Sequence, residues 1–236
     1  MPSLPRRLLI EDGSLFHVTW QCHNHDWLLT SAWAKRLYYN LLLKYRDRYK
    51  VQIYSYCFMD SHPHLSGRLT KLQLFSDLFR VVNSTFARIY NREMKRRGQV
   101  VMDRFKSPRI QTDADLLRVM LYIDLNPKRA GKVDHPRDND FSSFAFYAYG
   151  KLDPLITPAP SYLSLGTTDK RRQLAYRELV LEILKNDWKE KKPYSSKLLI
   201  GDPTWVVKKT QELREHQKNI RARWRKRFKE RFHVAA

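Results

Sequence analysis

Val51-Gln52-Ile53-Tyr54-Ser55-Tyr56-Cys57-Phe58-Met59, then Asp60-Ser61, then His62-Pro63-His64-Leu65-Ser66-Gly67-Arg68-Leu69 is the stretch that decides the fold. Its first part is rich in β-branched and aromatic residues, which suit a pleated surface. Asp60-Ser61 is a plausible two-residue turn, although it lacks the glycine of the best hairpins. The chain then returns antiparallel from His62 to Leu69. Upstream, Ser14 to Cys22 alternates Leu15, His17, Thr19 and Gln21 against Phe16, Val18, Trp20 and Cys22. Period two predicts another strand.

Helical spacing surrounds these strands. Ser31 to Tyr49 places Trp33, Leu37, Tyr38, Leu41, Leu42 and Tyr45 along one face. Gln73 to Arg97 does the same with Leu74, Leu78, Val82 and Phe86, and Gly98 stops it. Val100–Met102 and Ser107–Gln111 read as a short ribbon. Thr112-Asp113-Ala114-Asp115 starts a helix, with Thr112 as N-cap and acids in the first turn. That helix is expected to end near Asn126, because proline disfavours helical geometry in the residue before it. The aromatic cluster from Phe141 to Gly150 should pack on the sheet. Asp153 to Pro160 is the best linker candidate. Further helices follow from about Thr168 to Trp188 and from Pro203 to Phe232. The expected class is α+β, an antiparallel sheet with helices packed on its faces. It occupies residues 1–150 and is followed by a basic helical region over residues 151–236.

The chain has 236 residues, with 45 Lys and Arg against 24 Asp and Glu, a formal net charge of +21. Hydrophobic residues make up 42% and aromatics 13%, enough for a core and too much for a disordered chain. Two cysteines, Cys22 and Cys57, exclude a disulfide scaffold and read as reduced and buried. No run approaches eighteen apolar residues, and the N-terminus lacks the apolar stretch of a signal peptide. A soluble intracellular protein with no membrane partner is expected. Its positive field points first to nucleic acid, with an anionic membrane surface or a ribosomal role as alternatives.

Two signals carry chemistry. His62 and His64 lie two apart on a strand, so they share a face about 6–7 Å apart and can share a divalent metal. Two unrelated polar histidines near a turn are the bland alternative. His23 and His25 form a competing pair. Tyr122 and Asn126 lie one helical turn apart, so a phenol and an amide can approach one site together. The amide oxygen is a hard acceptor suited to Mg²⁺ or Mn²⁺. Its bland alternative is a helix C-terminus, with Lys128 and Arg129 complementing the dipole.

Together, these segments resemble a known family. Tyr54 to Leu65 looks like the HUH nuclease motif with its lead-in strand. Tyr122-Ile123-Asp124-Leu125-Asn126-Pro127-Lys128-Arg129-Ala130-Gly131 looks like the tyrosine helix of the REP-associated tyrosine transposases, single-tyrosine relatives of the IS200-like transposases. His17-Val18-Thr19 and Gly98 to Phe105 fit as well, and the likeness spans roughly Leu8 to Gly150. The resemblance implies an HUH fold with a ferredoxin-like core. It implies an enzyme that cuts and rejoins single-stranded or hairpin DNA through a 5′-phosphotyrosine. Tyr122 would be the nucleophile, and His62, His64 and Asn126 the ligands of Mg²⁺ or Mn²⁺. The implied location is the bacterial cytoplasm, nucleoid-associated, as a monomer or a homodimer. Two positions depart from the pattern. Asp60-Ser61 replaces the family's Pro-Asn turn, and Pro63 replaces a bulky hydrophobe. Proline cannot donate to a strand ladder, so either its nitrogen faces away from the neighbouring strand or the strand bends. A non-catalytic DNA-binding protein on this fold, or another HUH enzyme such as a replication initiator or relaxase, remain alternatives.

The surplus charge is clustered. Lys208 to Arg231 holds eleven Lys and Arg against three Glu, among them Arg221, Arg223, Lys226 and Arg227. A solvated helix face normally mixes signs, so phosphate contact is expected here, with Trp224 and Phe228 available to pack or stack. Nearer the motifs, Arg104, Lys106, Arg109, Lys128 and Arg129 are candidates for phosphate or base contacts.

Overall fold

The computed structural model describes residues 6–186 and 194–232, with side chains omitted at 195, 228, 229, 231 and 232. The expected stacking residue Phe228 and the expected helix end at Trp188 therefore lie outside what is described. In chain order the elements are α1 (Arg6–Leu9), β1 (Leu15–Thr19), α2 (Ala32–Tyr45), β2 (Val51–Phe58), β3 (Pro63–Leu69), α3 (Leu72–Glu93) and β4 (Arg109–Ile110). They continue with α4 (Asp113–Arg129), α5 (Phe144–Tyr149), α6 (Pro160–Leu163), α7 (Asp169–Lys185), β5 (Leu199–Ile200) and α8 (Pro203–Phe232).

The strands form one sheet in the order β2-β3-β1-β4-β5. β2, β3, β1 and β4 are antiparallel, as expected, but β5 joins β4 in parallel and makes the sheet mixed. β5 was not expected as a strand, because two residues, Leu199 and Ile200, leave no periodicity to read. The expected ribbon of 100–102 with 107–111 does not form. Val101 instead bridges Cys22, Lys106 bridges Thr19, and Arg109–Ile110 pairs with β1.

The β2–β3 hairpin turns through Asp60-Ser61, closed by the Met59 N–H on His62 O at 3.0 Å. Neither turn residue adopts positive φ, so no glycine is required. Lys35 and Lys132 both grip Asp60 at 3.0 Å. The register of β2 on β3 slips by one residue between Ile53 and Ser55, a bulge at Tyr54. Opposite it lies Gly67, where a Cβ would stand 2.0 Å from Gln52 O and 2.9 Å from the Phe16 ring.

α2 and α3 cover one face of the sheet, where Phe16 meets Phe75 at 4.7 Å and Tyr38 meets Phe58 and Phe86. α4 covers the other face, against β2 and β3. Its N-terminus is a capping box in which Thr112 Oγ1 accepts from Asp115 N–H and Asp115 accepts from Thr112 N–H. α4 runs through Pro127 to Arg129 and does not stop near Asn126. Proline removes one intrahelical bond, but only a turn from the end. Ala130 N–H still reaches Asn126 O, and Gly131, at φ +64°, closes the helix.

The aromatic segment after Asn139 docks on the edge of β2, with Phe58 N–H on Phe141 O and Ser143 N–H on Tyr56 O. The expected linker is packed instead. Asp153 accepts from Tyr39 and Tyr56 at 2.7 Å each, Thr157 N–H bonds Ile53 O, and Leu155 and Ala159 are buried. Prolines there fix the path of a covered segment. α7 packs on α5 and returns to α4 through Tyr176, whose hydroxyl donates to Asp124 at 2.7 Å. Ser143 Oγ donates to the same carboxyl at 2.6 Å. No described helix is long and apolar enough to cross a membrane.

Asp124 is fully buried, and that desolvation raises its pKa to about 7 despite the two hydroxyl donors. In the unfolded chain it titrates at about 3.9. The folded state therefore keeps a proton that the unfolded state loses across this window. Its contribution to stability is whole below pH of about 4, falls as pH rises to about 7, and is flat beyond. The steepest slope is roughly 1.4 kcal/mol per pH unit. Urea denaturation of the wild type and Asp124→Asn at pH 4.5 and 7.5 should show this difference shrinking or reversing. A pH-independent difference would refute the assignment.

Candidate active site

β1 and β3 lie side by side at the centre of the sheet, with Thr19 opposite His64. This register puts His17 and His64 on the face under α4. His17 Nε2 lies 3.0 Å from His64 Nδ1, and the two rings stack with centroids 5.2 Å apart. The His62 ring stands edge-on to His64 at 4.7 Å. Tyr122 descends from α4 onto this group, its ring 6.0 Å from His64 and 6.2 Å from His17. Two turns further along α4, the Arg129 guanidinium lies 4.7 Å from the Tyr122 ring centroid. Tyr194 packs edge-on against the same ring at 4.9 Å, and Tyr122 is only 2% exposed.

Pro63 does not spoil this geometry. Phe58, its partner, sends its N–H to Phe141, away from β3. Pro63 thus occupies a non-hydrogen-bonded position, and its nitrogen faces past the end of β1 at Thr19. The ring is buried but costs no ladder bond on the β2 side.

Burial disfavours the charged form of all three imidazoles. Burial, then His62, lowers His17 to about 3. Burial, then the neighbouring His62, His17 and Arg129, holds His64 well below its usual value. Burial lowers His62 too, against the pull of Asp60. Neutral rings are what metal ligation requires. Their orientation fits as well. Ser61 Oγ engages His62 Nδ1 at 2.9 Å and His17 engages His64 Nδ1, so both rings keep Nε2 for a ligand. The Asn126 amide nitrogen is buried without a hydrogen-bond partner, one turn after Tyr122 on the same helix. Among the described residues no three His, Cys, Asp or Glu side chains converge on a metal position.

The sequence offers no signal that draws His17 into the site. The alternation marks its face but not its neighbour, and only the β1–β3 register reveals the contact. Tyr194 was missed for the same reason. His23 and His25 fall on a single 3₁₀ turn, off the strand faces. Lys128 is half-buried near the end of α4. Arg109 is held by Glu11 at 2.5 Å and lines a cleft with Arg68 and Asp113, beyond the Leu15 end of β1. Arg104 and Lys106 are exposed beside β1, and Arg221, Arg223, Lys226 and Arg227 are exposed on α8.

The fold has a counterpart among solved structures. One is that of a REP-associated tyrosine transposase bound to a REP hairpin. It aligns at a TM-score of 0.52 with 22% identity, covering 66% of this chain and 91% of that one. The chain shares that transposase's fold. No protein-family model and no curated protein matches it.

If Pro63 is an indifferent strand residue, Pro63→Val should leave stability within about 1 kcal/mol by urea denaturation, because volume is conserved and no ladder bond is at stake. A loss of several kcal/mol would show that the proline itself shapes the strand end.

Proposed function

We propose that the protein is a single-tyrosine DNA strand transferase that cleaves and rejoins single-stranded DNA at hairpin or repeat ends. The observation that carries this reading is the placing of Tyr122 over the His17–His64–His62 group, with Arg129 on its ring. The solved relative of the same fold holds a DNA hairpin, which supports the choice of partner.

In this reading the Tyr122 hydroxyl oxygen attacks a backbone phosphorus. The phosphorus–O3′ bond breaks, leaving a 5′-phosphotyrosine and a 3′-OH that takes up a proton, while the phenol gives one to solvent. The phosphodiester energy is kept in the new bond, so the 3′-OH of another strand can reverse the step. Arg129 is placed to offset negative charge as the phenol ionises and the phosphate oxygens gain charge. His62, His64 and Asn126 would hold Mg²⁺ or Mn²⁺, which when bound supplies Lewis-acid polarisation of the phosphate. His17 would fix the His64 ring: with His64 ligating through Nε2, its Nδ1–H would donate to His17 Nε2, an orienting contact of the kind that tunes metal sites. Because Tyr122 is covered by Tyr194, a strand reaches it only after that segment shifts. The exposed cations of α8 would hold flanking phosphates.

Incubation with single-stranded hairpin oligonucleotides and Mn²⁺ should give a covalent protein–DNA adduct on denaturing gels. Tyr122→Phe should bind the DNA equally well and give none. An adduct that survives Tyr122→Phe would remove Tyr122 as nucleophile. Binding without any wild-type adduct would leave a DNA-binding protein.

The metal reading has its own test. His17→Leu should weaken Mn²⁺ binding by about 10- to 100-fold in an electron paramagnetic resonance titration. His23→Ala should leave it unchanged. A loss on His23→Ala with none on His17→Leu would point to His23 and His25 as the ligands instead.

A further inference from the structure

A cleft of about 320 Å³ opens at the edge of the sheet between α1, the 104–108 segment and residues 196–198. Arg6, Arg104, Lys106 and Lys197 line it, and no Asp or Glu does among the described residues. The side chains of Arg104 and Lys106 make no hydrogen bond or ion pair among the described residues. Arg104 and Lys106 are like charges two residues apart with no described ion pair, so they suit an anion.

Arg6 gives the cleft its chemistry. Its guanidinium lies flat on Phe105, 3.5 Å from the ring centroid. Nε donates to Ser107 Oγ at 3.0 Å, and the terminal nitrogens donate to Phe105 O at 2.8 Å and to Ser76 Oγ at 3.4 Å. The group is thereby locked in one plane. One face is spent on Phe105, and Arg6 also lines the cleft. A fixed guanidinium plane is a stacking platform for an unpaired base. Leu9, Pro108 and Leu198 supply apolar walls.

The cleft also adjoins the candidate active site. The Lys106 backbone exchanges bonds with Thr19 at 2.8 and 3.2 Å, and Pro108 O accepts from His17 N–H at 3.0 Å. Lys197 lies 4.5 Å over the ring of Tyr194, which covers Tyr122. The cleft thus lies beside the residue that covers Tyr122. The volume is at the small end of ligand pockets, about 300–1,000 Å³, so it takes one nucleotide and not a duplex.

We propose that this cleft holds one unpaired nucleotide of the bound DNA strand, with the base stacked on Arg6 and its phosphates held by Arg104 and Lys106. The proposal rests on the reading of the protein as acting on single-stranded DNA, but it concerns binding and not cleavage.

The test is a fluorescence titration of the full chain. The probes are a mixed-sequence 12-nucleotide single strand carrying 2-aminopurine, its duplex, and free thymidine monophosphate as competitor. Arg6→Lys keeps the charge and loses the plane. It should weaken the single strand at least about five-fold, the low end of stacking on one base, with the salt slope and the duplex affinity unchanged. The double variant Arg104→Gln/Lys106→Gln should weaken the single strand and flatten its salt slope by about 0.7 per phosphate contact. The proposal is overturned if Arg6→Lys binds the single strand as the wild type does. It is also overturned if single strand and duplex weaken by the same factor, or if the free nucleotide outcompetes the strand at equal concentration. Should Arg6→Lys fail to fold, the double variant decides: an unchanged slope sinks the proposal. These shifts without any Tyr122 adduct would keep the cleft and discard the chemistry.

Discussion

Gly67 has no side chain, and the carbonyl of Gln52 occupies the space a Cβ would need. The rest of the site depends on this close approach. It accommodates the bulge at Tyr54, which moves β2 by one residue against β3. After the bulge, Ser55 and Cys57 pair with Ser66 and His64, and Ser55 and Ser66 join through their hydroxyls at 2.7 Å. Without it every later side chain of β2 would change faces. Small residues then lie beneath α4, and Tyr56 and Phe58 lie toward α2. The helix that carries Tyr122 can thus settle close over His64.

Much of this was legible because it is local. The β2–β3 hairpin, the cap at Thr112 and the shared face of Tyr122 and Asn126 each follow from residues within a few positions of one another. What was not legible depends on distant partners. His17 meets His64 only through the order of strands in the sheet. Tyr194 reaches Tyr122 from far along the chain. β5 exists because β4 offers it an edge. The prolines misled in two directions. Pro127 was given too much power to end a helix whose last turn is capped by other bonds. Those between Asp153 and Pro160 suggest a linker, where Tyr39 and Tyr56 instead hold the segment down.

The net charge of +21 resolves into distinct environments. Arg109 is neutralised by Glu11, and Lys35 and Lys132 by Asp60. Arg129 is committed to an aromatic face. Arg104 and Lys106, beside β1, and Arg221, Arg223, Lys226 and Arg227 on α8 are exposed. Charge near the centre therefore shapes the protein, while charge at the sheet edge and on α8 faces outward.

The carboxyl of Asp124 has a consequence for any attempt to dissect the chain. It sits two residues after Tyr122, sealed between α4, the 143 segment and α7, and one of its two donors is Tyr176. A fragment that ends before α7 would keep the acid and lose that hydroxyl, leaving a buried polar group half-satisfied or opening it to water. The tyrosine helix would feel the loss at its centre. A shortened chain that failed to act on DNA would then report a disturbed α4 as readily as a missing DNA contact, and only a cut placed after α7 would separate the two.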